Sequence, residues 1–560
     1  MNKDNNMEKN KIKINPKLLF SMISIILLIV FCFAISPVTL QNDTYYTIKV
    51  GEHIVKNGID MQDPFSWHQD LGYTYPHWGY DVITYFIYSA FGFTGIYFTT
   101  AILACILGIL IYKVCSKISK NQVISFIVTI GAMYLLKGYI AARAQLVTFI
   151  LFILTIYFIE QFLETKKKRY AVGLIIIPIL IANLHIAVWP FYFVLYLSYI
   201  AEYLIAILGD TIIYKKITTT ILKERIKILN KKQGKEEKIQ KLEEKLKKIE
   251  ERISRIKIKR TKELENPYKI SINKNKNVKW LILIMIICIF TGLITPLGTE
   301  PYTYLYKTMI GNTTQNINEH LPMTLADQTD VMCTLIIFLA ILIFTKAKIK
   351  LSDLFMIGGL CYLMLKSRRQ LSMFAIIGAV ILSKLLSQLV DMYIENGKEK
   401  ITKIATSIGG IIIITVFLLA LSFHLSKYKF DEKFVDKSTY PVDACNYILE
   451  NIDLGTARFY NEYNYGSYML FRNIPVFIDS RCDLYAPEYN GKEDIFMDFI
   501  NTSNISTFYE DTFEKYDITH VITYKNSKMN MIITRTNDEN YKELYEDDYF
   551  IIYERLNANL

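Results

Sequence analysis

Eleven apolar windows, each approaching the roughly 20 residues that a helix needs to cross a bilayer, constrain this chain more than any other feature. They lie near residues 18–36, 96–114, 123–138, 145–163, 170–185, 187–208, 280–296, 331–345, 353–366, 371–387 and 404–424. Runs of this kind predict a polytopic α-helical membrane protein, because a backbone in lipid has to satisfy its own N–H and C=O groups. The chain is 52% hydrophobic and yet 21% charged, so the two classes are segregated along it. Windows 123–138 and 353–366 are short and fit re-entrant or tilted helices as well as spans. For the first window a cleaved signal peptide is the alternative, since Phe33-Ala34-Ile35-Ser36 loosely resembles a cleavage site.

Lysine and arginine in short loops orient such a chain, since cationic loops stay cytoplasmic. With about eleven spans, five basic groups fall on one side: residues 1–17 (Lys3, Lys9, Lys11, Lys13, Lys17), Lys113 to Lys120, Lys166 to Arg169, Lys346 to Lys350, and Lys398 to Lys403. That side is read as the cytoplasm. The loop at 37–95, Arg143, His185, Glu319, His320, Arg368, Arg369 and everything after His424 then lie outside. The expectation is a multi-pass cell-membrane protein whose membrane domain comprises 18–210 and 280–427.

Two polar stretches interrupt this pattern. Residues 211–279 hold 23 Lys and Arg against 9 Glu, more than the whole chain's net charge of +11. Within them Ile239, Leu242, Leu246, Ile249, Ile253 and Ile256 form a heptad seam. A turn at Gln233-Gly234 would bring Ile221, Leu222 and Leu229 against it, predicting a cytoplasmic coiled-coil hairpin. Its chemistry suits membrane lipids or a partner helix; without interleaved aromatics, nucleic acid is not an expected partner. Residues 428–560 carry 24 Asp and Glu against 13 Lys and Arg and read as a small exported α/β domain. Strands are expected at 457–460, 475–479, 520–524 and 549–553, and helices at 441–451 and 507–516. Asp479 and Arg481 suit an ion pair or a ligand site equally. A disulfide between Cys445 and Cys482 is the one pairing open to this domain.

The chemistry-bearing groups gather in the outer segments. The loop at 37–95 holds Asp43, Glu52, His53, Asp60, Asp63, His68, Asp70, His77 and Asp81, interleaved with Trp67 and Trp78, a mixture suited to a sugar or polar head group. Arg143, Asn183 with His185, and Glu319 with His320 follow at other outer loops. Arg368 and Arg369 lie outside against the charge rule, and cations placed so usually have an anionic partner. Acids facing arginines suit group transfer from a phosphate leaving group: a carboxylate takes the acceptor's proton, and arginines neutralise the departing phosphate. A divalent cation on Asp43, Asp63, His53 and His77 is an open option, but the spacing matches no fixed metal motif and no metal ligands are assigned.

The order Asp43-Thr44-Tyr45-Tyr46, Gly51-Glu52-His53-Ile54, Asp63-Pro64-Phe65-Ser66 and His77-Trp78 resembles the first outer loop of bacterial GT-C type membrane glycosyltransferases. These are similar in architecture to the protein O-mannosyltransferase and aminoarabinose transferase families. The likeness continues through Ala142-Arg143-Ala144-Gln145, Ala182-Asn183-Leu184-His185, Thr295-Pro296-Leu297-Gly298 and Arg368-Arg369. It reaches Tyr465-Gly466-Ser467-Tyr468 and Phe477-Ile478-Asp479-Ser480-Arg481 in the tail, leaving out 211–279. The resemblance implies that Asp43 is the catalytic carboxylate and that the donor is a polyprenyl-phosphate sugar whose phosphate meets Arg143, Arg368 or Arg369. It further implies a cell-envelope acceptor and inversion at the anomeric carbon. His53, His77, Trp78, Asn183, His185 and Glu319 are then substrate-binding candidates. Three positions depart from the family pattern: Ala144 replaces proline, Ser480 replaces glycine, and no acid separates His77 from Trp78. Glu52, Asp63 or Glu319 is left to serve as a second acid. The competing readings are a transporter or flippase for lipid-linked precursors, and a membrane scaffold.

Overall fold

The computed structural model describes residues 15–208, 211–230, 236–264, 269–427, 429–536 and 538–556. The lysines at 3, 9, 11 and 13 and the expected turn at Gln233-Gly234 lie outside the described residues.

Every apolar window falls on a helix. In the first half these are α1 (Pro16–Ile35), α3 (Trp78–Ser119), α4 (Gln122–Leu135), α5 (Ala144–Thr165), α6 (Lys168–Leu184) and α7 (Trp189–Leu208), with the more polar α2 (Asn42–Asn57) preceding α3. After α8 (Thr211–Asn230) and α9 (Glu236–Leu264) come α10 (Val278–Ile289), α11 (Glu300–Ile310) and the single turn α12 (Thr313–Asn316). The bundle closes with α13 (Thr329–Phe344), α14 (Leu351–Lys366), α15 (Leu371–Tyr393), α16 (Gly397–Ala405) and α17 (Ile408–Ser426). Among the described residues, 6 helices are long and apolar enough to cross a membrane: α1, α3, α5, α15, α17 and the segment Ile186–Ile207. The expected count of about eleven spans therefore exceeds what length and composition qualify. The difference lies in α4, α6, α10, α13 and α14, which are apolar but only 12 to 17 residues long.

Local chemistry sets several helix ends. Asn15 caps α1, its side chain accepting from the Lys17 N–H at 3.0 Å, with Pro16 at the first helical position. Asn121 caps α4 by accepting from the Ile124 N–H at 3.1 Å. Residues 78–91, within the stretch read as an outer loop, form the first arm of α3, which breaks at Gly92 (φ 61°, ψ −156°) before the long apolar arm begins. That conformation belongs to glycine.

The bundle core draws on α1, α3, α4, α5, α6, α7, α10, α13, α14 and α15. A second core joins the loop at 37–95 to the C-terminal region. Tyr45 of α2 packs edge-on against Tyr440 and Tyr468, with ring centroids 4.9 and 5.1 Å apart. Trp67 donates its indole N–H to the Phe459 carbonyl at 3.0 Å, and His68 Nε2 lies 2.9 Å from the Phe477 carbonyl.

The C-terminal region holds a four-stranded sheet in the order β3 (Phe459–Tyr460), β4 (His520–Tyr524), β6 (Phe550–Arg555), β5 (Tyr541–Glu546). β3 pairs parallel with β4, and β4–β6 and β6–β5 are antiparallel. A separate two-residue pair, β1 (Ile270–Ser271) with β2 (Ile349–Lys350), lies at the other end of the bundle. The sheet differs from expectation at two places. Residues 475–479 form no strand but a single bridge, Val476 with Ser66 of the outer loop, and β5 emerges from a polar stretch with weak alternation. α18 (Val442–Asn451) and the helix Tyr509–Lys515 match the expected helices, while α19 (Tyr463–Phe471) is additional. Cys445 and Cys482 are both free thiols. In the basic insertion α8 and α9 pack side by side, with Lys223 Nζ 2.9 Å from Glu250 Oε1.

Candidate active site

A cavity of about 950 Å³ opens where the start of α5, the α6–α7 joint and the α14–α15 joint meet the loop at 37–95 and the C-terminal region. Asp43 enters it from the first turn of α2, where the helix N-terminus favours a carboxylate. α2 lies tight on α3 because Gly51 has no side chain: a Cβ there would sit 2.1 Å from the Asp81 carbonyl oxygen.

Arg143, the residue before α5, bridges two acids. Its Nε lies 2.9 Å from Asp43 Oδ2, close enough for an ion pair but off the hydrogen-bond line. Its other arm donates to Glu319 Oε1 at 2.7 Å. Burial works against the Arg143 charge, but Asp43 and Glu319 outweigh it and raise its pKa. For Glu319, burial would push the pKa up, and Arg143 with Arg369 pulls it below the usual carboxylate value. No hydrogen bond reaches Asp43 Oδ1 among the described residues, so one face of that carboxylate stays open.

Glu319 and Arg369 are held by backbone lacing between their loops. The Arg369 N–H donates to the Glu319 carbonyl at 2.9 Å and the Arg368 N–H to the Leu321 carbonyl at 3.0 Å. The Arg369 guanidinium lies 3.5 Å from His320 Nε2 and lines the cavity. Two further histidines face each other there: the His77 and His185 rings are 5.0 Å apart, and His185 Nδ1 lies 2.8 Å from the Thr148 hydroxyl. Burial, reinforced by Arg369 and Arg143, lowers His77 to about 3. Burial and Arg369 together take His320 to about 4. Both are neutral near pH 7, so the cavity's positive charge is carried by Arg143, Arg369, Arg481 and Lys366 rather than by histidine.

Asp43, His77, Arg143, His185, Glu319 and Arg369 thus meet in one cavity, and the other sequence candidates stand elsewhere. Glu52 sits between Lys49 and Lys56, 2.6 Å from each. His53 pairs with Asp60 at 2.9 Å. Asp63 is sealed against Arg481 at 2.6 Å. Trp78 is outside the lining, and Asn183 donates to the Ile179 and Ile294 carbonyls at 2.8 Å, joining α6 to the end of α10. Arg368 turns its Nε to the Pro322 carbonyl at 3.3 Å. Of the four groups offered for a cation, Asp63 and His53 are engaged in these other pairs. Among the described residues no three His, Cys, Asp or Glu side chains are grouped to hold a metal.

The C-terminal region supplies lining that sequence reasoning passed over. Asp483 accepts from the Tyr304 hydroxyl at 2.7 Å and from Thr313 at 3.3 Å, and burial raises its pKa. Tyr463 lines the wall beside it. The available signal for Asp483 was a third charged residue, after Asp479 and Arg481, in a segment otherwise uncharged from Phe477 to Tyr485.

A helical bundle topped by a mixed-sheet C-terminal unit, with a polar cavity between them, defines the class of architecture. The chain superposes on the crystal structure of the Archaeoglobus fulgidus oligosaccharyltransferase in the apo form with a TM-score of 0.51 and 12% identity, covering 97% of this chain and 75% of that one. The likeness is one of fold. No protein-family model and no curated sequence matches the chain.

Proposed function

We propose that this protein is a glycosyltransferase of the GT-C type that moves a sugar from a polyprenyl-phosphate donor to an acceptor hydroxyl at the outer face of the cell membrane. The observation that carries the reading is the meeting of Asp43, Arg143, Glu319 and Arg369 in one cavity at the helix ends opposite the basic loops. The likeness in fold to an oligosaccharyltransferase supports it.

In this mechanism Asp43 takes the proton of the acceptor hydroxyl as that oxygen bonds to the anomeric carbon. The bond from that carbon to the phosphate oxygen breaks, and the phosphate leaves with the electron pair. Arg369, whose guanidinium has among the described residues no side-chain hydrogen bond but the 3.5 Å contact to His320, takes the phosphate. Arg143 holds Asp43 and Glu319 in register, acting on geometry rather than on the leaving group. Neutral His77 and His185 offer hydrogen bonds to sugar hydroxyls without adding charge. The windows beyond the six qualifying helices serve as shorter spans, the N-terminus is cytoplasmic, and the C-terminal domain lies outside and contacts the acceptor through the Asp483 wall. α8 and α9 form the coiled-coil hairpin on the cytoplasmic side.

The test compares wild type with Asp43→Asn in membrane vesicles supplied with a panel of radiolabelled polyprenyl-phosphate sugars. Label entering a lipid-free product with wild type, and lost in the variant at equal protein level, supports the reading and names the sugar. Equal transfer by both proteins, or none from any donor, refutes it.

A further inference from the structure

At the other end of the bundle lies a second cavity of about 890 Å³ that the transfer chemistry does not use. It is enclosed by the end of α3, the α5–α6 loop, the start of α10, the segment 348–353 and the end of α15. Its lining carries eight cations and five carboxylates, and the balance is uneven in a telling way.

The acids are engaged. Lys384 holds Glu160 at 2.8 Å and Asp353 at 3.0 Å, forming a closed floor. Asp391 pairs with Lys398, Glu202 accepts the Asn273 N–H at 2.8 Å, and Glu164 accepts from Gln161 at 3.1 Å. Around that floor Lys117, Lys120, Lys167 and Lys348 line the cavity, and among the described residues their side chains have no hydrogen bond or ion pair. They come from three separate segments, so their convergence is a product of the fold and not of one charged run. Beside the cavity, Lys166 Nζ stands 4.7 Å over the ring of Trp280, itself 48% exposed among apolar neighbours. Tryptophan with a flanking cation is characteristic of the head-group level of a bilayer.

We propose that this cavity is a binding site for the phosphate of an anionic phospholipid head group, held by Lys117, Lys120, Lys167 and Lys348. Uncommitted ammonium groups around a polar cavity between membrane helices, on the basic side of the protein, are suited to a lipid phosphate. Three of the five carboxylates are paired with lysine, and eight cations against five acids leave the lining with a net positive charge. The proposal rests on the membrane reading of the chain but not on glycosyl transfer, because none of these residues lines the Asp43 cavity.

The experiment measures binding of dansyl-labelled phosphatidylglycerol to the full-length protein in phosphatidylcholine nanodiscs. One variant carries Lys117→Gln, Lys120→Gln, Lys167→Gln and Lys348→Gln. A control removes the same charge from α9 with Lys241→Gln, Lys245→Gln, Lys247→Gln and Lys248→Gln. The cavity variant is expected to lose about tenfold or more in affinity, and the control less than about twofold. Glycerol phosphate and inorganic phosphate are added as competitors. Competition at equal concentration identifies a soluble phosphate as the ligand source, and resistance to competition identifies the lipid. If the cavity variant folds poorly, a photoactivatable phosphatidylglycerol on wild type decides: cross-links on the segments holding Lys117 to Lys120 and Lys348 support the site, and cross-links confined to α8 and α9 overturn it. Equal loss in both variants, or none in either, also overturns it.

Discussion

Arg143 and Arg481 each stand between two carboxylates, in opposite surroundings. The Arg481 guanidinium reaches Asp63 at 2.6 Å and Asp479 at 2.7 Å, with side-chain exposures of 2%, 0% and 0%. Arg143 reaches Asp43 at 2.9 Å and Glu319 at 2.7 Å, with exposures of 23%, 23% and 45%. Around Arg481 every remaining acceptor is used: the Tyr485 hydroxyl donates to Asp479 at 2.6 Å and the Ser66 hydroxyl to Asp63 at 2.5 Å. Around Arg143 one oxygen of Asp43 is left open to the cavity. The same three-charge unit is thus a fastener where it is sealed, tying the loop at 37–95 to the C-terminal region, and is left open to the cavity at Arg143, where the proposed transfer needs a working group. Burial, more than residue type, separates the two.

The largest break in this comparison comes at Asp43. Replacing it with Asn keeps the shape and removes the base, so transfer is expected to fall by about 10²- to 10⁴-fold while the unfolding midpoint stays near wild type. At the sealed unit the outcome reverses. Arg481→Met leaves Asp63 and Asp479 buried without a counter-charge, a loss of about 3–5 kcal/mol in stability, read by thermal unfolding in detergent. Activity per folded molecule is expected to survive. A variant of Arg481 that unfolds no earlier than wild type but loses transfer would show that this unit belongs to the chemistry after all.

A smaller effect tests the frame that aims Asp43. In Gly51→Ala the new methyl collides with the Asp81 carbonyl and with Tyr85 Cβ at 2.7 Å. Separating α2 from α3 is expected to cost about 1–3 kcal/mol and to lower transfer together with stability, which an activity-against-midpoint series of conservative α2 variants would check.

Much of this was legible in the chain. The apolar windows gave the helices because a long apolar run has few alternatives, and the cavity groups Asp43, His77, Arg143, His185, Glu319 and Arg369 all stood in segments expected between or at the ends of the windows on one side. What the sequence could not separate was the company each group keeps. Glu52 and His53 look as available as Asp43 in a list of residues, yet Lys49, Lys56 and Asp60 engage them through helical spacing and a loop contact. Asp63 finds its partner at Arg481, across more than four hundred residues, and no local pattern reports such a contact. The union of the outer loop with the C-terminal domain was hidden for the same reason: Trp67 and Tyr45 announce burial without saying against what. In the sheet, the polar β5 is carried by its pairing with the apolar β6, a tertiary effect that overrides its own weak pattern.

The mildest test uses acid. His68 in the sealed interface is lowered to about 4, chiefly by burial, while His77 and His320 at the cavity are lowered to about 3 and about 4 by burial together with arginine charge. All three ordinary values are 6.5, so between there and the folded values the unfolded chain binds protons that the folded chain refuses. Their contribution to stability is therefore complete above about pH 6.5 and is lost as pH falls toward the folded values, with a slope approaching about 1.4 kcal/mol per pH unit for each histidine. A polyprenyl phosphate bound at Arg369 would offset the guanidinium field, raising His77 and His320 but not His68. The slope of stability against pH between 6 and 4.5 is then expected to shrink when that lipid is added, and the remainder to shrink again in His68→Asn. A slope indifferent to the lipid would mean that the phosphate does not sit beside Arg369, whatever the outcome at Asp43.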